Sequence, residues 1–131
     1  MADYTAKRID DMEAVYLGGF KRARAELGVE SFGMQVLVRP PDFDDFPEHD
    51  HAEEGQEEVY LLLAGSGMLV VDGEKVPLDE QTMVRVGRAA RRTVLSGPVG
   101  LRILALGGVP GAVYEPPEVS KLGAPDPMAA A

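Results

Sequence analysis

The 131-residue sequence contains no cysteine and no tryptophan, and it has only two histidines. Without cysteine the chain can form neither a disulfide bond nor a thiolate metal site. No apolar run approaches the roughly 20 residues that a membrane-spanning helix needs, and the first residues lack the basic and apolar stretches of a secretory signal peptide. We therefore expect a cytoplasmic protein without a membrane partner.

Basic residues are missing from the middle of the chain. Residues 40–74 carry eleven aspartates and glutamates but no lysine or arginine, and the formal net charge of the whole chain is −9. Nucleic acids bind to basic surfaces, so this distribution of charge argues against a nucleic-acid partner. We interpret the acidic block as solvated surface, with the alternative that it attracts cations toward the histidines.

The two histidines, His49 and His51, lie two positions apart in this acidic block. On a β-strand this spacing places both imidazoles on the same side. Glu58 heads the β-forming run that follows, and strand parity puts Tyr60 on the same face as Glu58. Two imidazoles and one carboxylate form a set that suits a divalent first-row metal with open coordination positions.

Short β-forming runs separated by turn signals occupy most of the chain. We count about eight or nine of them, without the strand–helix alternation of an α/β protein. Asp72-Gly73 is the strongest hairpin signal, and Gly65-Ser66-Gly67 is interpreted as a turn. The pattern predicts an all-β, single-domain antiparallel sandwich or barrel, of which the jelly roll is one solution. The predicted central strands are 32–38, 49–51, 58–63, 67–71, 74–78, 82–86, 92–95 and 101–106.

The chain divides into three parts around this β-rich core. Residues 1–31 are predicted to form an N-terminal segment of strand and helix, residues 32–108 the barrel, and residues 109–131 a Pro- and Ala-rich arm or frayed tail. Within the first part, residues 10–15 are interpreted as a short capped turn of helix. Residues 20–27 fit either a helix or an edge strand, and we favour the strand.

The motif around the histidines resembles the first motif of the cupin superfamily. The residues that carry the resemblance are Pro47, His49, His51 and Glu58, followed after six residues by Gly65. A weaker likeness to the second cupin motif follows at residues 78–87, so that the resemblance covers about residues 32–106. It implies a small, single-domain bacterial cupin of the Cupin_2-like type, folded as a jelly-roll barrel with Glu58 pointing inward.

The resemblance also implies a metal, because cupin barrels hold iron, manganese, nickel or zinc on three histidines and a glutamate. The position that aligns with the last of those histidines is Arg92, and a guanidinium has no lone pair to offer a metal. Four alternatives stay open. They are a divalent metal on His49, His51 and Glu58; the same metal with Arg92 steering an anionic substrate; a metal-free pocket in which Arg92 pairs with Glu58; and histidines that are only surface or core groups.

Two functions follow from these alternatives. The first is a metal-dependent enzyme of the oxygenase, isomerase or lyase type that acts on a small organic molecule. The second is a non-catalytic binding or sensing module in which Arg92, Tyr60 and the histidines bind a small ligand without metal. In both, Arg92 and Tyr60 are the candidate ligand-binding residues. A homodimer is expected because small jelly rolls have exposed sheet edges.

Overall fold

The computed structural model describes residues 2–129 and consists mainly of one antiparallel sheet. The sheet order is β1-β2-β3-β7-β4-β5, with β6 also paired to β4, and its edges do not close. This architecture confirms the predicted all-β antiparallel fold of the jelly-roll kind. The strands are β1 (Ala14–Val15), β2 (Phe20–Lys21), β3 (Gly33–Arg39), β4 (Glu57–Val71), β5 (Glu74–Leu78), β6 (Met83–Val86) and β7 (Arg92–Gly108).

Two long strands, β4 and β7, form the centre of the sheet and pair along almost their whole length. In place of each of these long strands, the sequence pattern predicts two shorter strands separated by a turn. The difference arises at Gly65 and Gly100, where the two backbones approach so closely that a Cβ at position 65 would lie 2.1 Å from the Gly100 oxygen. The pairing register shifts beside Gly65. The predicted turn is therefore a bulge inside a bent strand.

The N-terminal segment contains the one α-helix of the described chain, α1 (Ala23–Leu27), beside a 3₁₀ turn at Ile9–Asp11, and a second 3₁₀ turn lies at Glu118–Ser120. The predicted edge strand over residues 20–27 is wrong beyond Lys21, because Ala23 and Leu27 turn their apolar stripe toward the outer face of β3. Gly28 ends the helix in the left-handed conformation, with φ of 78°. Within residues 2–129 no helix has the length and apolarity needed to cross a membrane.

The segment from 10 to 15 also differs from the prediction. Its helical part is the 3₁₀ turn, which ends at Asp11, and Ala14 and Val15 instead join the sheet as β1. Val15 is buried there, with 2% of its surface exposed. Sheet pairing and burial of Val15 therefore limit the helical turn to three residues.

The main hydrophobic core lies on the inner face of the sheet. The alternation along β4 is as the sequence pattern predicts: Glu58, Tyr60 and Leu62 are buried, whereas the neighbours Val59 and Leu61 are only half-buried. Inward residues of β7, above all the fully buried Ile103, pack against this face. The inner face is therefore mainly apolar, with Glu58 and Tyr60 as a polar pair within it.

The C-terminal arm, which we define as residues 109–129, packs against the N-terminal segment. The buried guanidinium of Arg22 connects the two, because its Nε and Nη2 donate hydrogen bonds to the carbonyls of Val119 and Ala124, each at 2.8 Å. Its Nη1 pairs with Glu13 at 2.7 Å, and Glu13 in turn accepts a hydrogen bond from the Gly123 amide. These contacts bring the arm across one end of the sheet.

Candidate metal centre

The structure brings His49, His51 and Glu58 together, with one potential ligand atom of each within 4.8 Å of the others. Glu58 reaches this place from the inner face of β4. The predicted strand at 49–51 is reduced to a β-bridge, in which the His49 amide donates to the Arg92 carbonyl at 3.0 Å and the Arg92 amide donates back at 2.8 Å. The two histidines are half-buried.

Both imidazoles are oriented through Nδ1. His49 Nδ1 lies 3.3 Å from the carbonyl oxygen of Pro47, and His51 Nδ1 is hydrogen-bonded to the carboxylate of Glu54. A histidine that gives its Nδ1 proton to such an oxygen keeps Nε2 as the free lone pair, which is how metal-binding histidines are held in place. His51 Nε2 lies 3.1 Å from Glu58 Oε1. Because two lone pairs at this distance repel each other, a metal ion or a proton is needed between the two atoms.

The two histidines have pKa values shifted in opposite directions. The hydrogen bond to Glu58 raises the pKa of His51, against the effect of burial and with a further contribution from Glu54. Burial lowers the pKa of His49. His49 is thus held neutral, as a metal ligand must be, and a metal at His51 would replace the proton that bridges it to Glu58.

The carboxylate of Glu58 is held in its charged form. Burial alone would raise the pKa of Glu58, but the hydrogen bonds from His51 and Tyr60 outweigh it and the pKa is lowered. The Tyr60 hydroxyl donates to Glu58 Oε1 at 2.6 Å, and burial keeps the hydroxyl protonated by raising its pKa. Tyr60 therefore orients the carboxylate, and its ring also borders the cavity described below.

Arg92 lies behind Glu58 with none of its surface exposed. Its Nε is 3.9 Å from Glu58 Oε1, and its Nη2 donates to the Gly87 carbonyl at 3.0 Å. Nε and Nη1 have no hydrogen-bond partner among residues 2–129. The guanidinium is consequently a buried counter-charge to Glu58, and it does not border the cavity.

A cavity of about 780 Å³ opens beside the three clustered residues. Its inner wall is the sheet, and its outer wall includes Val109, Tyr114 and Val119 of the C-terminal arm. The sequence pattern gives no indication of this wall, because the wall depends on contacts between distant parts of the chain. It also gives no indication of Glu54, whose contact with His51 depends on the conformation of the loop between them. A volume of this size is in the range that holds small organic molecules.

The arm should loosen when its attachment at Asp126 is weakened. The Asp126 carboxylate accepts hydrogen bonds from the amides of Tyr16 and Leu17, two residues with positive φ of 54° and 55°. Asp126→Asn is therefore expected to speed amide hydrogen exchange at both positions and in the arm. The matched control is Glu118→Gln in the same arm, since Glu118 pairs only with Lys121 at the surface. Equal exchange in both variants would contradict the attachment.

The same attachment has a pH dependence of defined sign. Hydrogen bonds from the amides of Met128, Tyr16 and Leu17 lower the pKa of Asp126. A carboxylate with a lowered pKa in the folded state contributes stability above its unfolded value of about 3.9, and this contribution is lost as the pH falls through the folded value. Amide hydrogen exchange in the arm should therefore become faster in the parent protein as the pH falls through the folded-state pKa of Asp126. The increase should be smaller in Asp126→Asn.

Comparison with known proteins shows the fold. No protein-family model and no curated protein match the sequence. A cupin protein from Bacteroides fragilis is similar in structure, with a TM-score of 0.64 and 21% identity over 89% of this chain and 93% of that one. A sugar phosphate isomerase of the cupin superfamily from Silicibacter pomeroyi gives 0.64, with 19% identity over 79% and 74%. The Cupin_2 domain of an XRE family transcriptional regulator from Enterobacter cloacae gives 0.53, with 19% identity over 63% and 86%.

Proposed function

We propose that this chain, which has the cupin fold, binds a divalent metal on His49, His51 and Glu58 and takes a small organic molecule into the adjoining cavity. The observation that carries the proposal is the engagement of both Nδ1 atoms, which directs the Nε2 lone pairs to the metal. Ligand atoms within 4.8 Å of one another need only small side-chain rotations to reach the metal–ligand distance of about 2.0–2.2 Å. Iron, manganese, nickel and zinc all suit this donor set.

Three classes of reaction are candidates for this site. When bound, the ion supplies a Lewis-acid centre with open positions for a substrate oxygen. Of the chain's own residues, Glu58 and the two histidines would hold it, Tyr60 fixes the Glu58 carboxylate, and the arm forms one wall of the cavity. An isomerase is one candidate, because two structurally similar cupins are named as sugar phosphate isomerases, with oxygenase and lyase chemistry as the others.

Metal titration tests the proposal directly. Protein stripped with a chelator and titrated by calorimetry with Mn²⁺, Fe²⁺, Ni²⁺ or Zn²⁺ is expected to bind one ion per chain. His51→Ala should weaken that binding by about 10–100-fold or more, the range known for losing even a supporting residue of a metal site. The matched control is Asp50→Ala, since Asp50 lies between the histidines but faces Arg91, 3.7 Å away. Absence of one-to-one binding for all four ions would overturn the proposal.

A second candidate is a metal-free binding module, favoured by the position of Arg92. With Arg92 3.9 Å and His51 3.1 Å from Glu58 Oε1, a protonated His51 and the guanidinium together neutralise the carboxylate without metal. Such a protein would bind its ligand equally well in the presence of a chelator.

A homodimer and a cytoplasmic location stay predictions, and light scattering is the measurement for the homodimer.

A further inference from the structure

The permanent charges on the described walls of the cavity are all negative. Among the described residues that border the cavity there is neither a lysine nor an arginine. Three glutamates border it: Glu54, Glu58 and Glu115. Arg92 is fully buried behind Glu58. In the metal-free protein these three carboxylates outnumber the two cations beside them, Arg92 and a protonated His51, so the cavity opposes a dianion.

Another basic group close to the cavity is Arg39, and part of its guanidinium is already engaged. It lies 4.3 Å from the centre of the Phe46 ring, while its Nη1 donates to the carbonyls of Gly19 and Val38 at 2.6 and 2.8 Å. Only 7% of the Arg39 surface is exposed. Phosphate recognition uses freely presented arginine or lysine donors, and Arg39 offers none to the cavity.

The remaining lining suits an uncharged molecule with an apolar body. Phe20, Leu37 and Val94 form the wall on the sheet side, and Val109 and Val119 face them from the arm. Burial of carbon atoms against such walls stabilises binding by about 25 cal/mol per Å². The uncharged polar groups away from the clustered histidines include the side-chain amides of Gln35 and Gln56, which can donate and accept hydrogen bonds.

We infer that the molecule bound here is uncharged, with an apolar body and a hydroxyl or carbonyl oxygen at the end that faces His49, His51 and Glu58, and that the cavity rejects sugar phosphates. The expectation of an oxygen at that end depends on the proposed metal site. The expectation that phosphate is excluded depends only on the residues of the cavity walls. This chain thus differs in substrate class from the structurally similar cupins that are named as sugar phosphate isomerases.

A matched pair of probes tests the inference. Benzyl alcohol and benzyl phosphate share an apolar body and differ in charge, and fructose 6-phosphate represents the sugar phosphates. Binding is measured by NMR titration on chelator-treated protein, in which no metal can attract the phosphate group. Benzyl alcohol is expected to bind at least about tenfold more tightly than either phosphate. Equal or tighter phosphate binding, or no binding of the alcohol, overturns the inference.

A charge introduced into the wall provides the second test. Gln35→Lys places a cation on the half-buried inner face of β3 and is expected to strengthen benzyl phosphate binding about tenfold relative to benzyl alcohol. The matched control is Gln81→Lys, which adds the same charge at an exposed position outside the cavity. Equal gains in both variants would show that net charge, not the cavity wall, excludes phosphate and would overturn the inference.

Metal and ligand results separate the two proposals. Preference for the alcohol in a protein that binds none of the four ions supports the inference and overturns the proposed metal site. One-to-one metal binding in a protein that prefers a phosphate supports the metal site and overturns the inference.

Discussion

Glu58→Gln is expected to destabilise the fold by about 3–5 kcal/mol, the cost of leaving one partner of a buried ion pair without its counter-charge. Glu58 is 4% exposed and Arg92 is not exposed at all. Glutamine has the shape of glutamate and can still accept the Tyr60 hydrogen bond, so the variant removes mainly charge. Arg92 would then be a buried cation with two unpartnered nitrogens. Urea unfolding of metal-free protein measures the loss.

The neighbouring residue supplies the control for this prediction. Glu57 points to the outer face of the same strand, where it pairs with Arg85 at 2.8 Å. Because that pair is exposed to solvent, Glu57→Gln should cost less than about 1 kcal/mol. Adding Arg92→Leu to Glu58→Gln should recover part of the lost stability, since no buried charge remains. Similar losses for Glu57→Gln and Glu58→Gln would contradict the counter-charge role of Arg92.

The second large effect is expected at the bulge of β4. Gly65→Ala should cost more than about 4 kcal/mol or prevent folding, because left-handed strain and a backbone clash add together. Gly65 has a φ of +81°, and a Cβ there would lie 2.1 Å from the Gly100 oxygen and 2.9 Å from the Leu101 Cα. Both obstacles are backbone atoms of the central partner strand, which cannot move without breaking the sheet.

Gly73 separates the two contributions to that cost. It has a similar φ of +85°, but nothing lies within 4 Å of its would-be Cβ. Gly73→Ala should therefore show only the conformational penalty of about 1–2 kcal/mol. The melting temperatures of the two variants, measured side by side, give the cost of the close approach by difference. Equal losses would show that β4 and β7 can separate at this point.

The sequence pattern predicts a structural feature correctly where that feature is determined by neighbouring residues in the chain. The two-residue period of a strand predicts that Glu58 and Tyr60 are buried on one face, and both are. The hairpin at Asp72-Gly73 is confirmed as the link between β4 and β5, with positive φ at both residues. The grouping of His49 with Glu58 also follows from strand parity, once the family resemblance sets which face is inside.

Non-local contacts account for what the sequence pattern missed. Gly65-Ser66-Gly67 has the composition of a turn, and only the approach of Gly100 makes it a bulge. The helix α1 was mistaken for strand because its five residues are too few for periodicity to decide, and packing on β3 decides instead. Nothing in the local sequence distinguishes Arg22 from an ordinary surface cation. It is nevertheless buried, because it donates hydrogen bonds to carbonyls about a hundred residues away in the sequence.

The joining of the two chain ends has a practical consequence for work with this protein. Arg22 and Glu13 near one end hold residues of the arm near the other, and the arm forms a wall of the cavity. Trimming the chain to its β-rich core at residue 108 would therefore remove one wall of the cavity and leave the buried Arg22 guanidinium without its two carbonyl partners. Affinity measurements accordingly call for the full chain.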